Sequence, residues 1–177
     1  MNHREVSKEL RLVQEKHKND FTPICNELLQ TYEELYQLAY HDPLTGCYNR
    51  NMLEKLRAKF DPKRCTVAIV NIDNFKKYNT DYGHIGGDKR LKEIAGLLKA
   101  KYENVFRIGG DEFMVITDAI EFITVRDILN NIGGISAGVY NKHTSEDLSS
   151  AMHKADLLMY TVKTKKELNS IYGKSNF

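Results

Sequence analysis

Between Val105 and Thr117 the chain reads Val105-Phe106-Arg107-Ile108-Gly109-Gly110-Asp111-Glu112-Phe113-Met114-Val115-Ile116-Thr117. Two apolar runs, Val105 to Ile108 and Phe113 to Thr117, flank a Gly-Gly step, the pattern of two antiparallel strands joined by a tight turn. The glycines permit positive backbone dihedrals there, and Asp111 and Glu112 set adjacent carboxylates directly after the turn. Such a pair is either a solvated acidic loop or the anionic half of a cation site.

Upstream, the β-branched, apolar run from Thr66 to Ile72 reads as a buried central strand. It ends in Asn71-Ile72-Asp73 and passes into Asn74-Phe75-Lys76-Lys77. A strand end feeding a helix N-terminus offers free amides to phosphate, with lysine to neutralise it and carboxylates to hold a bridging cation. The plainer reading is an ordinary junction with Asp73 as the helix cap. Asn79 and Asp88 stand on either side of a glycine-rich turn, Tyr82-Gly83-His84-Ile85-Gly86-Gly87. An amide and a carboxylate together can read the polar edge of guanine, although singly each is an everyday turn or cap residue. From Asp88 to Lys101, Leu91, Ile94, Ala95, Leu97 and Leu98 share one helical face.

Further elements follow from spacing: a helix over 51–60 broken by Asp61-Pro62, a helix over 125–131, a strand over 135–140, and a helix from Ser145 to about Lys166 opened by a Ser-Glu-Asp turn. The order is mixed α and β, consistent with one sheet and helices mainly on one of its faces. At the N-terminus, Val6, Leu10, Val13 and His17 form a thin apolar stripe on a helix over 4–19. Thr22-Pro23 opens a second helix reaching about His41, with Ile24, Leu28, Thr31, Leu35 and Leu38 in near-heptad spacing. Residues 1–41 are thus a helical extension, packed on the domain or serving as a dimerisation stalk, and residues 42–177 are the domain proper.

With 26 basic and 24 acidic side chains the formal net charge is only +2, which supplies no global field toward nucleic acid or an anionic membrane. Any phosphate binding must be local. Cys25, Cys47 and Cys65 lack paired spacing for zinc or a disulfide framework and read as reduced thiols. No apolar run approaches the roughly 20 residues of a membrane span, and no signal-peptide core is present, so a soluble, unprocessed cytoplasmic protein is expected.

Taken in order, these motifs resemble the GGDEF family of diguanylate cyclases. Asp42-Pro43-Leu44-Thr45-Gly46 with Asn49-Arg50 resembles the family's opening motif, and Ile72-Asp73-Asn74-Phe75-Lys76 with Asn79 resembles its first-strand motif. Tyr82-Gly83-His84, Gly87-Asp88, the full signature Arg107 to Phe113, Ser136-Ala137-Gly138-Val139, and Ala155-Asp156 with Met159-Tyr160 and Lys163 follow. The resemblance, running from about Asp42 to Lys163, implies an α+β fold akin to class III nucleotide cyclases and polymerase palm domains, a central antiparallel sheet surrounded by helices. It also implies condensation of two GTP, one on each subunit of a homodimer, into cyclic di-GMP, with Mg2+ or Mn2+ as cofactor. Asp111 and Glu112 would be the catalytic carboxylates. Asn71, Ile72 (through its carbonyl), Asp111 and Glu112 would hold metal; Asn74, Phe75, Lys76 and Lys163 would hold phosphates; Asn79 and Asp88 would select guanine. Arg107 would orient neighbouring carboxylates, and the N-terminal helices would be open to a regulatory protein.

Four departures from the family pattern stand out. Asn71 stands where active relatives carry a metal-binding aspartate, and Asp73 compensates only by turning toward the metal against the alternation of the strand. Thr80 replaces an acid. Lys166-Glu167-Leu168 replaces a Gly-Arg-Asn whose arginine binds phosphate, leaving Lys165 or Lys166 as a point-charge substitute. Ala100 and Glu103 replace the arginine and aspartate of the product-inhibition site, so such inhibition is not expected. These departures leave two alternatives open: a degenerate domain that binds GTP, a cyclic dinucleotide or a protein without turnover, and a related cyclase making another product.

Overall fold

The computed structural model describes residues 3–16, 22–118 and 122–172. The chain divides into two compact units, Met1–His41 and Asp42–Phe177. In the first, helix α1 (His3–Lys16) packs along α2 (Thr22–Tyr40), and Arg11 faces Glu33 at 3.8 Å. The helices expected over 4–19 and 22–41 are therefore present, with 17–19 outside the described residues. Ile24, Leu28, Leu35 and Leu38 of α2 stay more than half exposed in the single chain.

The second unit runs α3 (Arg50–Phe60), β1 (Cys65–Ile72), α4 (Phe75–Lys99), β2 (Asn104–Arg107), β3 (Glu112–Asp118), α5 (Phe122–Asn130), β4 (Ile135–Lys142) and α6 (Leu148–Tyr172). The strands form one antiparallel sheet in the order β2-β3-β1-β4. This is the α+β architecture of an antiparallel sheet with surrounding helices. Helices α3 and α6 start where a side chain serves the free amides of the first turn. Asn49 accepts from the Met52 amide at 3.2 Å, and Asp147 accepts from the Ser150 amide at 2.7 Å. Leu148 opens α6, rather than Ser145, and donates its amide to Asp61 at 2.8 Å. Glu146 is spent elsewhere, on the Tyr140 hydroxyl, the His143 amide and Lys154. Those contacts, led by the amide, hold its carboxyl down at about 2.

Helices cover both faces of the sheet, not mainly one. All eight positions of β1 are buried. Ala68, Val70 and Ile72 pack with Leu91, Ile94, Ala95 and Leu98 of α4 and with Val125 and Leu129 of α5. The opposite face receives α6, which approaches so closely at Gly138 that a Cβ there would lie 2.0 Å from the Ala155 carbonyl oxygen. A strand that alternated apolar and polar residues would have one wet face; the continuous apolar run of β1 fits two dry ones.

The glycine-rich stretch over 82–87 carries the turn expected there. α4 comprises two helical pieces joined by a kink at Gly83, where φ is 69° and ψ is 172°. That left-handed φ favours glycine. At the far end of the sheet Lys142 is wholly buried, and its ammonium donates to the carbonyls of Asp61, Lys63 and His143 at 2.7, 2.9 and 3.1 Å. Three donors meet three acceptors, the condition under which a buried charge is tolerated. Cys25, Cys47 and Cys65 are all free thiols. No helix of the described residues is long and apolar enough to cross a membrane.

Candidate functional site

The site lies where β1 ends against the β2–β3 hairpin. Pairing of β1 with β3 sets Asn71 opposite Glu112, and the Ile72 amide donates to the Asp111 carbonyl at 3.1 Å. The amides of Ile108 and Gly109 close the hairpin onto the Glu112 carbonyl at 3.0 and 3.3 Å. Neither Gly109 nor Gly110 takes a positive φ, contrary to the sequence expectation. A Cβ at position 109 would sit 2.5 Å from Glu112 Oε2, the movable end of that side chain, and 3.2 Å from its Cβ. The Glu112 carboxylate thus lies folded over the loop. Asp111 and Glu112 are half-buried, and neither carboxylate has a hydrogen bond or ion pair among the described residues.

Arg107 fixes this loop from below. Its guanidinium donates to the Gly110 carbonyl at 2.6 Å and to both oxygens of Asp42 at 3.0 and 3.1 Å. Arg107 does orient a carboxylate, but it is that of Asp42 rather than the hairpin pair. Burial raises the Asp42 carboxyl, yet the Thr45 hydroxyl and amide together with Arg107 outweigh it and leave it below the ordinary carboxylate value. The same segment extends the sheet edge: Tyr48 donates its amide to Val105 and accepts from Arg107 at 2.9 and 2.7 Å. The motif from Asp42 to Arg50 therefore braces the hairpin and hides the edge of β2.

Lys163 of α6 reaches the buried Asn71 and donates to its Oδ1 at 2.8 Å. Asp73 lies on the same side of β1, so strand alternation does not separate it from Asn71. Its carboxylate is nonetheless engaged elsewhere, accepting from the Ser136 hydroxyl at 2.6 Å and from Lys166 at 3.0 Å, while Lys166 also donates to the Ile135 carbonyl. Lys166 is thereby committed within the protein. The sequence pattern does not reveal this pairing, although a serine buried inside the apolar strand Ile135–Lys142 is a signal that a polar partner exists.

Asn74 follows in the left-handed region, φ 53° and ψ 32°, and no side chain caps α4 behind it. Phe75 packs against the core, and Lys76 is exposed. The bend at Gly83 brings Asn79 against Gly87, the residue before Asp88. Eight residues of straight helix would separate Asn79 from Gly87 by about 12 Å. Instead a Cβ on Gly87 would lie 1.8 Å from Asn79 Oδ1. That oxygen is buried with no hydrogen-bond partner, and Asp88, next to Gly87 in sequence, is exposed. No hydrogen bond among the described residues ties this pair to the hairpin.

Among the described residues there is no group of three or more His, Cys, Asp or Glu side chains able to hold a metal ion. What is present is the two uncommitted carboxylates, the nearby end of β1, and an Asn71 oxygen already shared with Lys163. This set fits magnesium or manganese in the form magnesium prefers, bound through one or two carboxylates and completed by water and substrate phosphates. It does not fit an all-protein cage.

The model of the GGDEF domain of diguanylate cyclases matches residues 39–132. Diguanylate cyclase DgcP of Pseudomonas aeruginosa is 36% identical over 126 residues, 66% of this chain and 19% of its own. Diguanylate cyclase DgcS of Shewanella oneidensis is 38% identical over 103 residues, 53% of this chain and 34% of its own. The chain thus spans between about a fifth and a third of the length of these relatives. In fold it is similar to the coiled coil and GGDEF domain of DgcB from Caulobacter crescentus, solved in complex with c-di-GMP, with a TM-score of 0.71 at 22% identity over 90% of this chain and 95% of that one. On the hairpin, the β1 end and this match over more than half its residues, the chain belongs to the GGDEF family.

Proposed function

We propose that the domain is a diguanylate cyclase, which condenses two GTP into one cyclic di-GMP and two pyrophosphates across a homodimer. The observation that carries this reading is the pair of uncommitted carboxylates, Asp111 and Glu112, pinned beside the end of β1. Asp111 and Glu112, with the Ile72 carbonyl and the Asn71 amide oxygen, would hold a magnesium or manganese ion, which when bound would supply positive charge to the triphosphate and the departing pyrophosphate. Glu112 accepts the proton of the attacking 3′-hydroxyl. Lys76, Lys163 and the amides around Asn74 and Phe75 hold phosphate oxygens. The unpartnered Oδ1 of Asn79 and the exposed carboxylate of Asp88 accept from guanine, whose N1 and N2 carry hydrogens where adenine has none to match.

Each 3′-hydroxyl attacks the α-phosphate held by the other subunit, so two copies must meet. The exposed heptad positions Ile24, Leu28, Leu35 and Leu38 of α2 favour a stalk as the means. The same helices offer a surface to a regulatory protein, and the resulting enzyme acts as a cytoplasmic signalling protein.

Asn71 brings no charge to the metal and accepts a hydrogen bond from Lys163. Asn71→Asp is therefore expected to raise kcat/KM for GTP at least about tenfold, the equivalent of about 1.4 kcal/mol in the barrier. The test is the rate of cyclic di-GMP formation by both chains. Equal rates would contradict the metal role of position 71, and no product from either chain would contradict the cyclase reading.

A further inference from the structure

Lys163 and Lys166 lie one turn apart on α6 and reach the two polar residues that end β1, Asn71 and Asp73. Position 73 is where an aspartate would be expected to cap the following helix. It does not: Asn74 holds the N-cap position of α4, at a left-handed φ of 53°, and its own side chain makes no cap hydrogen bond. Both oxygens of Asp73 are drawn the other way, Oδ1 by the buried Ser136 hydroxyl at 2.6 Å and Oδ2 by Lys166 at 3.0 Å. The Asp73 amide is tied to the Gly134 carbonyl at 3.0 Å, which fixes the backbone from the same side. A cleft lined by Asp73, Asn74, Lys163, Lys166, Glu167 and Ser170 opens at this point.

We propose that Ser136 and Lys166 are positioning residues that hold the Asp73 carboxylate off the N-terminus of α4, so that its first amides stay open to the nucleotide's phosphates. Released, the Asp73 carboxylate, one residue before the N-cap, is the anionic acceptor nearest those amides. It then competes for the amides that the phosphates need and puts a negative charge at the positive end of the helix. The clamp acts through Asp73 and touches no reacting atom. It rests on the reading of the β1–α4 turn as a phosphate site.

The test measures binding of the α,β-methylene analogue of GTP, which cannot release pyrophosphate, by calorimetry with magnesium present. The release variant Ser136→Ala with Lys166→Met is expected to bind about tenfold more weakly, the scale of a helix cap in competition. Adding Asp73→Ala to it is expected to restore the affinity to within about twofold of the unaltered chain. Adding Glu167→Gln instead restores the same net charge while leaving Asp73 free, and is expected to restore nothing. Thermal unfolding of each variant confirms that it is folded, and a rescue by Asp73→Ala is itself a readout that damage to the fold cannot produce. Unchanged binding in the release variant overturns the proposal, as do failure of Asp73→Ala to rescue, equal rescue by Glu167→Gln, and no binding by the unaltered chain. Binding by the unaltered chain without cyclic di-GMP from GTP removes the cyclase reading and leaves the clamp standing.

Discussion

Asp111→Ala is expected to lower cyclic di-GMP synthesis by about a thousandfold, the loss that follows when a group stabilising transition-state charge is removed from a preorganised site. The side chain is half-buried and has no hydrogen bond or ion pair among the described residues. Its one structural tie, the carbonyl that accepts from the Ile72 amide, belongs to the backbone and survives the exchange. Stability should therefore change by less than about 0.5 kcal/mol, as for other substitutions that break no packing or network. Rate assays and thermal unfolding on the same preparation check both halves. A large loss of stability would assign Asp111 to the fold rather than to the reaction.

The opposite division is expected at Gly138. A Cβ there would meet the Ala155 carbonyl oxygen at 2.0 Å, the Met159 amide nitrogen at 2.2 Å and the Leu158 carbonyl carbon at 2.9 Å. All three are backbone atoms of α6, so no side chain can rotate away. Gly138→Ala must push α6 off β4 as a body, at a cost of at least about 3 kcal/mol, the upper range for overpacking. For a chain of this size that lowers Tm by roughly 10 °C. Because α6 also carries Lys163 and Lys166 to the end of β1, their contacts with Asn71 and Asp73 shift with it. Scanning calorimetry reads the loss directly, and a Tm within about 2 °C of the unaltered chain would contradict the packing described.

The hairpin and the central strand are legible in the sequence because each is specified locally. Gly109-Gly110 sits between apolar runs, and Thr66 to Ile72 is an unbroken β-branched stretch. The turn inside α4 is legible as well, because Gly83, Gly86 and Gly87 lower helix propensity within one short stretch, and the kink falls at Gly83. What is not legible is how sharply the chain folds back there: Asn79 and Phe75 close on Gly87, while Tyr78 and Tyr82 lie with ring centroids 4.6 Å apart on the first helical piece. The burial of Lys142 is equally hidden. A lysine ending a strand reads as solvated, and its acceptors at Asp61 and Lys63 lie about 80 residues away in sequence. At the site, the identities of Asn71, Asp111 and Glu112 are legible, whereas the commitment of Asp73 and Arg107 depends on partners brought in by α6 and by the segment after His41. Pairings of that range are set by topology, which local pattern does not encode.

The most direct measurement is the identification, by chromatography and mass spectrometry, of what the purified chain makes from GTP with magnesium or manganese, beside a parallel reaction with ATP. Cyclic di-GMP and pyrophosphate in a one-to-two ratio from GTP, and no dinucleotide from ATP, is the predicted result. Binding of GTP with no cyclic di-GMP in the presence of either metal would contradict it.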